Sequence, residues 1–151
     1  MVTIGEKAPD FRLNSTLDKP ISLNDYAGKK HVVRTFYPLD FSPVCSLQLP
    51  EYSGRKADFE KHDAEVLGVS RDSVYTHKAW AREFGIDVTL LADMNGETAT
   101  NYGVYRPEAN ASKRAVFLID KNGILRFQYV EKSPAEFTLR ADDILAELTK
   151  L

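Results

Sequence analysis

The chain contains a single cysteine, Cys45, among its 151 residues. One thiol cannot form an internal disulfide, and a reducing compartment would keep it available for chemistry. The sequence also lacks an apolar run long enough to span a bilayer, and residues 1–7 lack the apolar core of a signal peptide. We therefore expect a cytoplasmic protein with a free thiol.

An excess of charge of one sign is also missing. The net charge is -2, from 20 basic and 22 acidic residues that are interspersed along the chain. We therefore expect no binding to nucleic acid or to a membrane surface. With 43% hydrophobic and 28% charged residues, the composition is typical of a globular protein. No repeat or shift in composition marks a boundary, so we expect one domain over residues 1–151.

Apolar periodicity predicts strands that alternate with helices. We expect a small N-terminal hairpin from segments 11–13 and 21–23, and then strands at 31–36, 65–69, 88–91, 115–119 and 125–130. The predicted helices span 42–61, 73–84, 95–102 and 135–148, with Ser73 as an N-cap and with Pro50 kinking or interrupting the first helix. This order favours a three-layer α/β fold, a mixed central sheet with helices on both faces.

Cys45 follows the strand 31–36 across a proline-containing turn, at the predicted start of a helix. Backbone N–H groups in the first turn of a helix have no partner, and this environment favours a thiolate. The alternative, a small buried apolar residue, is disfavoured because Ser42 and Pro43 place Cys45 near a helix N-terminus. A helix dipole contributes at most about 2 kcal/mol, so activation of the thiol requires a second cationic or donor group.

The pattern Pro-x-x-x-Ser-x-x-Cys, formed by Pro38, Ser42 and Cys45, resembles the active-site signature of the peroxiredoxins, which are thiol peroxidases with a thioredoxin-like fold. Segments 5–11, 68–72, 91–93 and 114–120 also resemble that family. The most similar subgroups are the bacterioferritin-comigratory-protein (Q) type and the one-cysteine alkyl hydroperoxide reductase E type. The resemblance implies a thioredoxin-like fold with an N-terminal extension.

Arg114 is the predicted cationic partner of the thiol. If the strand that begins at Ala115 lies antiparallel beside the strand that ends at Phe36, Arg114 falls next to the turn that carries the cysteine. The resemblance supplies this pairing and implies that Arg114 contacts the sulfur and the peroxide. A solvated charge at a strand end is the alternative, and Arg106 is a weaker rival.

Three further residues have predicted roles in the site. The Ser42 hydroxyl and the Cys45 backbone N–H are expected to stabilise the leaving oxygen together with the arginine, although Ser42 is also a candidate N-cap. Pro38 is expected to cover the thiolate and exclude water. Gln48 stands where many peroxiredoxins carry a glutamate, which leaves open whether the hydrogen-bond network behind the arginine is intact.

The remaining residues of interest have mostly structural interpretations. His31, His62 and His77 lack metal-ligand spacing, so surface or helix-face roles are expected and no metal or cofactor is predicted. Trp80 fits the core face of the helix 73–84. Tyr37 and Phe41 could line the mouth of a pocket, but packing is the simpler expectation.

The predicted function is reduction of hydrogen peroxide or organic hydroperoxides through a sulfenic acid at Cys45. Some Q-type members carry a resolving cysteine where this chain has Pro50, so an external thiol is expected to complete the cycle: thioredoxin, glutaredoxin or a small thiol. A homodimer is also expected. The alternatives are a thioredoxin-like disulfide oxidoreductase, because residues 42–45 occupy a Cys-x-x-Cys frame with serine first, and a redox-sensing or chaperone-like binding protein.

Overall fold

The computed structural model describes residues 2–151, which form nine strands, five α-helices and one 3-10 helix. The strands are β1 (Arg12–Asn14), β2 (Pro20–Ser22), β3 (His31–Phe36), β4 (Ala64–Ser70), β5 (Thr89–Ala92), β6 (Tyr105–Arg106), β7 (Ala111–Ser112), β8 (Ala115–Ile119) and β9 (Leu125–Val130). The helices are α1 (Cys45–Gly54), α2 (Lys56–Lys61), α3 (Val74–Phe84), α4 (Glu97–Asn101) and α5 (Ala141–Leu148), and the 3-10 helix spans Leu23–Tyr26. Within the described chain, no helix is long and apolar enough to cross a membrane.

Five strands form a mixed central sheet in the order β5-β4-β3-β8-β9. The parallel connections from β3 to β4 and from β4 to β5 pass through helices, as parallel strands require. β8 lies antiparallel to β3, with Ala115 opposite Phe36. This register confirms the predicted pairing and places Arg114 beside the turn that follows β3. The tight turn between β8 and β9 contains Gly123 at φ 79°, a left-handed conformation that favours glycine.

The sheet is covered on both faces, and all five residues of β8 are buried. One face packs against α1, α2, α3 and α5 through side chains such as Leu49, Trp80 and Ile144. The other face packs against α4, the β1–β2 hairpin and the 3-10 helix, with Ile21 and Ala99 in its core. The predicted three-layer α/β fold is therefore confirmed, with most of its helices on the face that includes Cys45.

The helix predicted over 42–61 is two helices that meet at Arg55. An interruption at Pro50 was the wrong expectation, because α1 continues through this residue to Gly54. Proline removes one intrahelical hydrogen bond, but Leu49 and Tyr52 on either side are fully buried. The packing of these two side chains outweighs the lost hydrogen bond. The helix ends instead at Gly54, because glycine is a poor helix former.

The last helix begins at Ala141, six residues later than the sequence predicts. The Glu131 carboxylate accepts hydrogen bonds from the backbone N–H groups of Thr138 (2.8 Å) and Leu139 (3.0 Å). These bonds hold residues 131–140 in an irregular conformation across the ends of β9 and α1. The helix starts only where Asp143 accepts a bond from the Arg140 backbone N–H, at 2.9 Å.

The cap of α3 agrees with the prediction from the sequence, whereas the β6–β7 pair does not. Ser73 caps α3 as predicted, because its hydroxyl accepts from the Thr76 backbone N–H at 3.2 Å. The short antiparallel pair β6–β7 was not predicted, and it places Arg106 in a strand rather than in an irregular loop. Two-residue strands carry too little periodicity to be detected in sequence.

Candidate active site around Cys45

Cys45 is the first residue of α1, and its side chain is fully buried. The preceding turn positions it, because the Ser42 and Val44 carbonyls accept the first hydrogen bonds of the helix, from Ser46 and Gln48, both at 3.0 Å. The Cys45 backbone N–H has no acceptor among residues 2–151. This N–H is therefore available to a ligand bound at the sulfur.

Arg114 makes the one hydrogen bond that the described residues offer to this sulfur. Its Nη2 lies 3.4 Å from the Cys45 Sγ, and the arginine side chain is only 2% exposed. The antiparallel register of β3 and β8 brings the two together across 69 residues of sequence. No hydrogen bond joins the rival Arg106 to Cys45, and the Arg106 Nε instead lies 3.5 Å from the Ser112 carbonyl oxygen.

A hydrogen-bond chain continues behind Arg114 into α1 and the irregular segment 131–140. Arg114 Nη1 donates to the Gln48 side-chain oxygen at 2.6 Å, and Nη2 also donates to the Pro134 carbonyl at 2.8 Å. The Gln48 amide donates to the Tyr52 hydroxyl at 3.2 Å, which donates to the Leu139 carbonyl at 3.0 Å. The network behind the arginine is thus present with glutamine in place of glutamate. Burial raises the pKa of Tyr52, so its hydroxyl stays protonated and can donate.

Ser42 and Pro38 lie on the same turn but do not hydrogen-bond to the sulfur. The Ser42 hydroxyl donates to the Leu39 carbonyl at 2.8 Å and makes no capping bond to a backbone N–H. The N-cap role weighed for Ser42 is therefore wrong for its side chain. Pro38 is buried immediately after β3. The structure thus brings Arg114 directly to Cys45, and it keeps Ser42 and Pro38 in the adjoining turn.

The turn that precedes Cys45 is held to α3 by a buried polar cluster. The Asp40 carboxylate lies 2.6 Å from His77 Nδ1 and accepts from the Tyr37 hydroxyl at 2.7 Å. His77 Nε2 donates to the Leu91 carbonyl at 2.9 Å. Burial raises the pKa of Asp40 and holds that of Tyr37 well above its ordinary value.

This cluster corrects one expectation drawn from the sequence and confirms another. A surface position is wrong for His77, which is fully buried, while His31 and His62 are half-buried. Packing, the expectation favoured for Tyr37, is confirmed: this residue is fully buried and packs on Trp80, the predicted core tryptophan. Phe41 remains 45% exposed, packs edge to face on Phe84, and has a left-handed backbone at φ 67°. No local sequence signal marks Asp40 and His77 as partners, because 37 residues separate them.

Outside the Cys45 site, the described chain has a cavity but no metal-binding cluster. Among residues 2–151, no group of three or more His, Cys, Asp or Glu side chains is placed to hold a metal ion. A cavity of about 500 Å³ lies beside the start of β3, away from Cys45, and Lys7, Asp10 and Asp120 contribute to its lining. It contacts neither Cys45 nor Arg114.

A family model and the relatives named below all relate this chain to peroxiredoxins. Residues 4–128 match the model of the AhpC/TSA family. The chain is 38% identical over 156 residues to "Peroxiredoxin" of Thermoplasma volcanium, and the aligned region covers 99% of this chain and 75% of that protein. It is also 38% identical over 133 residues, 82% of this chain, to "2-Cys peroxiredoxin BAS1, chloroplastic" of Hordeum vulgare, and spans 63% of the length of that relative.

A solved structure matches over the full length of the chain. The crystal structure of the peroxidoxin BcpB from Mycobacterium tuberculosis superposes with a TM-score of 0.88 at 26% sequence identity, covering 100% of this chain and 99% of that one.

The chloroplast relatives are longer proteins, and those of Spinacia oleracea and Arabidopsis thaliana are matched over 50% of their length.

Proposed function

The chain belongs to the AhpC/TSA family of peroxiredoxins, and from this membership we propose that it is a thiol-dependent peroxidase acting through Cys45. The proposed substrates are hydrogen peroxide and organic hydroperoxides. The single observation that carries the proposal is the contact of a buried guanidinium, that of Arg114, with the sulfur of the only cysteine, at 3.4 Å.

The proposed reaction begins with attack of the Cys45 thiolate on one peroxide oxygen. The S–O bond forms as the O–O bond breaks, and the leaving oxygen takes a proton to become water or an alcohol. The sulfur is oxidised to a sulfenic acid by two electrons, and the peroxide is reduced by the same two. Arg114 favours the thiolate before attack and then binds the negative charge that develops on the leaving oxygen.

The turn residues assist in the proposed mechanism. The Cys45 backbone N–H, which has no acceptor in the described chain, is proposed to donate to the peroxide. The Ser42 hydroxyl would do the same after rotating away from the Leu39 carbonyl. Pro38 is proposed to shield the sulfur from water, in keeping with its buried position.

An external thiol is proposed to complete the cycle, because Cys45 has no second cysteine to attack it. The first thiol displaces water from the sulfenic acid to form a mixed disulfide, and a second thiol releases Cys45 and leaves as a disulfide. Thioredoxin, glutaredoxin or a small thiol could supply these electrons in a reducing compartment such as the cytoplasm. Since the sulfur is fully buried, the first turn of α1 must move before any reductant reaches it.

A homodimer is part of the proposal. Exposed apolar side chains lie on the turn before α1 and on the first turn of this helix, including Phe41 at 45% and Leu47 at 66% exposure. A second copy of the chain would remove this surface from water. Light scattering tests the point: we expect twice the chain mass of 17.0 kDa for the wild type and the single-chain mass for Leu47→Asp.

The deciding experiment is peroxide consumption with added thioredoxin, glutaredoxin with glutathione, or a small dithiol. The wild-type protein is expected to consume peroxide catalytically with at least one of these reductants. Cys45→Ser is expected to consume no peroxide, although its melting temperature should equal that of the wild type. Activity retained in Cys45→Ser would overturn the mechanism. Disulfide exchange without peroxide consumption would favour a thioredoxin-like oxidoreductase, and oxidation without turnover would favour a redox-sensing or chaperone-like binding protein.

A further inference from the structure

Arg114 is a buried cation that has no acidic partner. Its guanidinium bonds to a side-chain amide, a backbone carbonyl and the Cys45 sulfur, and no Asp or Glu oxygen among residues 2–151 lies within 4.0 Å of it. Its Nε is buried and has no hydrogen-bond partner in that part of the chain. A charge buried in this way is costly unless an anion is close. Of the groups that Arg114 contacts, only the Cys45 thiol can become an anion.

The hydrogen bonds behind Arg114 all run in one direction. Arg114 donates to the Gln48 oxygen, the Gln48 NH2 group donates to Tyr52, and Tyr52 donates to the Leu139 carbonyl. An amide fits this position because it accepts on one side and donates on the other. A carboxylate of the same size could only accept, so Tyr52 would have to turn towards it and leave the Leu139 carbonyl unpaired.

We propose that Gln48 is a positioning residue that fixes Arg114 through a neutral group and so reserves the guanidinium charge for the Cys45 thiolate. This inference rests on the proposed function, since it concerns how the same thiol is activated. A negative charge at position 48 would compete with the thiolate for Arg114 and would also repel it across about one helical turn. Neutral Gln48 therefore favours ionisation of Cys45 more than an acidic residue at this position would.

Other titratable groups on the surrounding elements have partners of their own. Glu131 accepts from Thr138 and Leu139, and Glu51 accepts from Arg140 and the Ala141 backbone N–H. Asp40 accepts from Tyr37, and Tyr52 donates to the Leu139 carbonyl. None of the carboxylates among them bonds to Arg114, so a substitution at Gln48 changes the charge at the guanidinium without displacing an existing ion pair.

The test is the pH dependence of Cys45 alkylation by iodoacetamide, which requires no peroxide. Gln48→Glu is expected to raise the pH of half-maximal alkylation rate by about one pH unit or more, the effect of a like charge beside an ionising group. Gln48→Leu, which removes the hydrogen bonds that fix Arg114 without adding charge, is expected to raise this pH by a smaller amount than Gln48→Glu. Gln128→Glu, the same change at an exposed position on β9, is the matched control and should leave it unchanged.

Two results would overturn the inference. One is a Gln48→Glu profile that superimposes on the wild type, and the other is a Gln48→Leu profile shifted as far as that of Gln48→Glu, which would make Gln48 a mechanical support only. If circular dichroism shows Gln48→Glu to be unfolded, Gln48→Leu decides alone, because a profile identical to that of the wild type would overturn the positioning role. Failure of the wild type to consume peroxide would remove the proposed function, whereas the alkylation profiles would still report on the Arg114 charge.

Discussion

Arg114 Nη2 lies 3.4 Å from the Cys45 sulfur, although 69 residues separate the two in the sequence. Their contact depends on the antiparallel register that sets Ala115 opposite Phe36 at the end of β3. A guanidinium at this distance can favour the thiolate, and it can also bind the oxygen that leaves during peroxide cleavage. These two contributions respond differently to pH, and this difference can be measured.

Replacing Arg114 by alanine should lower the rate of peroxide reduction by at least about 10²-fold, the usual cost of removing one donor to a developing oxyanion. If the guanidinium only favoured the thiolate, high pH would restore the rate. We expect the peroxide defect to persist at high pH and to exceed the defect towards iodoacetamide, which has no O–O bond to polarise. Stopped-flow rates with both reagents across pH measure this.

The control for that experiment is Lys113→Ala, which removes the adjacent, exposed cation and should change neither rate appreciably. Equal defects towards peroxide and iodoacetamide, both rescued at high pH, would show that Arg114 only promotes ionisation of the thiol.

Cys45 should be oxidised in distinct steps, because no second cysteine can trap the first product. One equivalent of peroxide is expected to give a sulfenic acid that dimedone labels, and excess peroxide to give sulfinic and sulfonic acids. Mass spectrometry of the intact chain follows each step. An unmodified Cys45 after excess peroxide would mean that the buried thiol is inert.

Arg34 is fully buried on β3, and none of its guanidinium nitrogens has a hydrogen-bond partner in the described chain. Its charge lies 3.4 Å from the centre of the Phe11 ring, and burial lowers its pKa to about 10. Since a buried charge without a counter-ion is costly, Arg34→Met should raise the free energy of unfolding by about 1–4 kcal/mol. Urea denaturation provides the measurement.

The matching control is Arg82→Met, at an exposed position on α3, which should alter stability by less than about 0.5 kcal/mol. A less stable Arg34→Met would contradict the prediction and would show that attraction to the surrounding aromatic rings exceeds the cost of burying the charge.

Asp40 should make a contribution to stability that decreases as pH rises. Burial raises its pKa above the ordinary 3.8, so the folded state retains a proton that the unfolded state releases. This stabilisation is complete below the unfolded pKa and is lost as the pH rises through the folded value. The free energy of unfolding of the wild type, minus that of Asp40→Asn, should therefore decrease as the pH is raised from acid to neutral.

The subtraction is needed because Glu51, Asp58, Asp63 and Asp120 have lowered pKa values and act in the opposite direction. These carboxylates remain in both proteins, so their contribution cancels. A difference that instead grows with pH would indicate that Asp40 is ionised in the folded protein.

Much of the fold and part of the candidate site were predictable because local chemistry specifies them. The β8–β9 hairpin has the predicted bounds, since two apolar runs flank an Asn-Gly turn. Cys45 begins a helix because the preceding turn cannot continue the strand, and Ser73 caps α3 through its own hydroxyl. Each of these features depends on residues within a few positions of one another, so the sequence alone determines them.

Tertiary structure decided what depends on partners far apart in the chain. Gln48 meets Arg114 across 66 residues, and Asp40 meets His77 across 37. The start of α5 depends on the Glu131 carboxylate, which competes with a helix for the N–H groups of Thr138 and Leu139. Such bonds have no periodicity and no fixed spacing, because the packing of elements, rather than the preference of any residue for a local conformation, brings the partners together. The sequence thus determined that the thiol begins a helix beside a strand end, and only the packing of α1 against β8 and segment 131–140 decided which neutral and charged groups surround it.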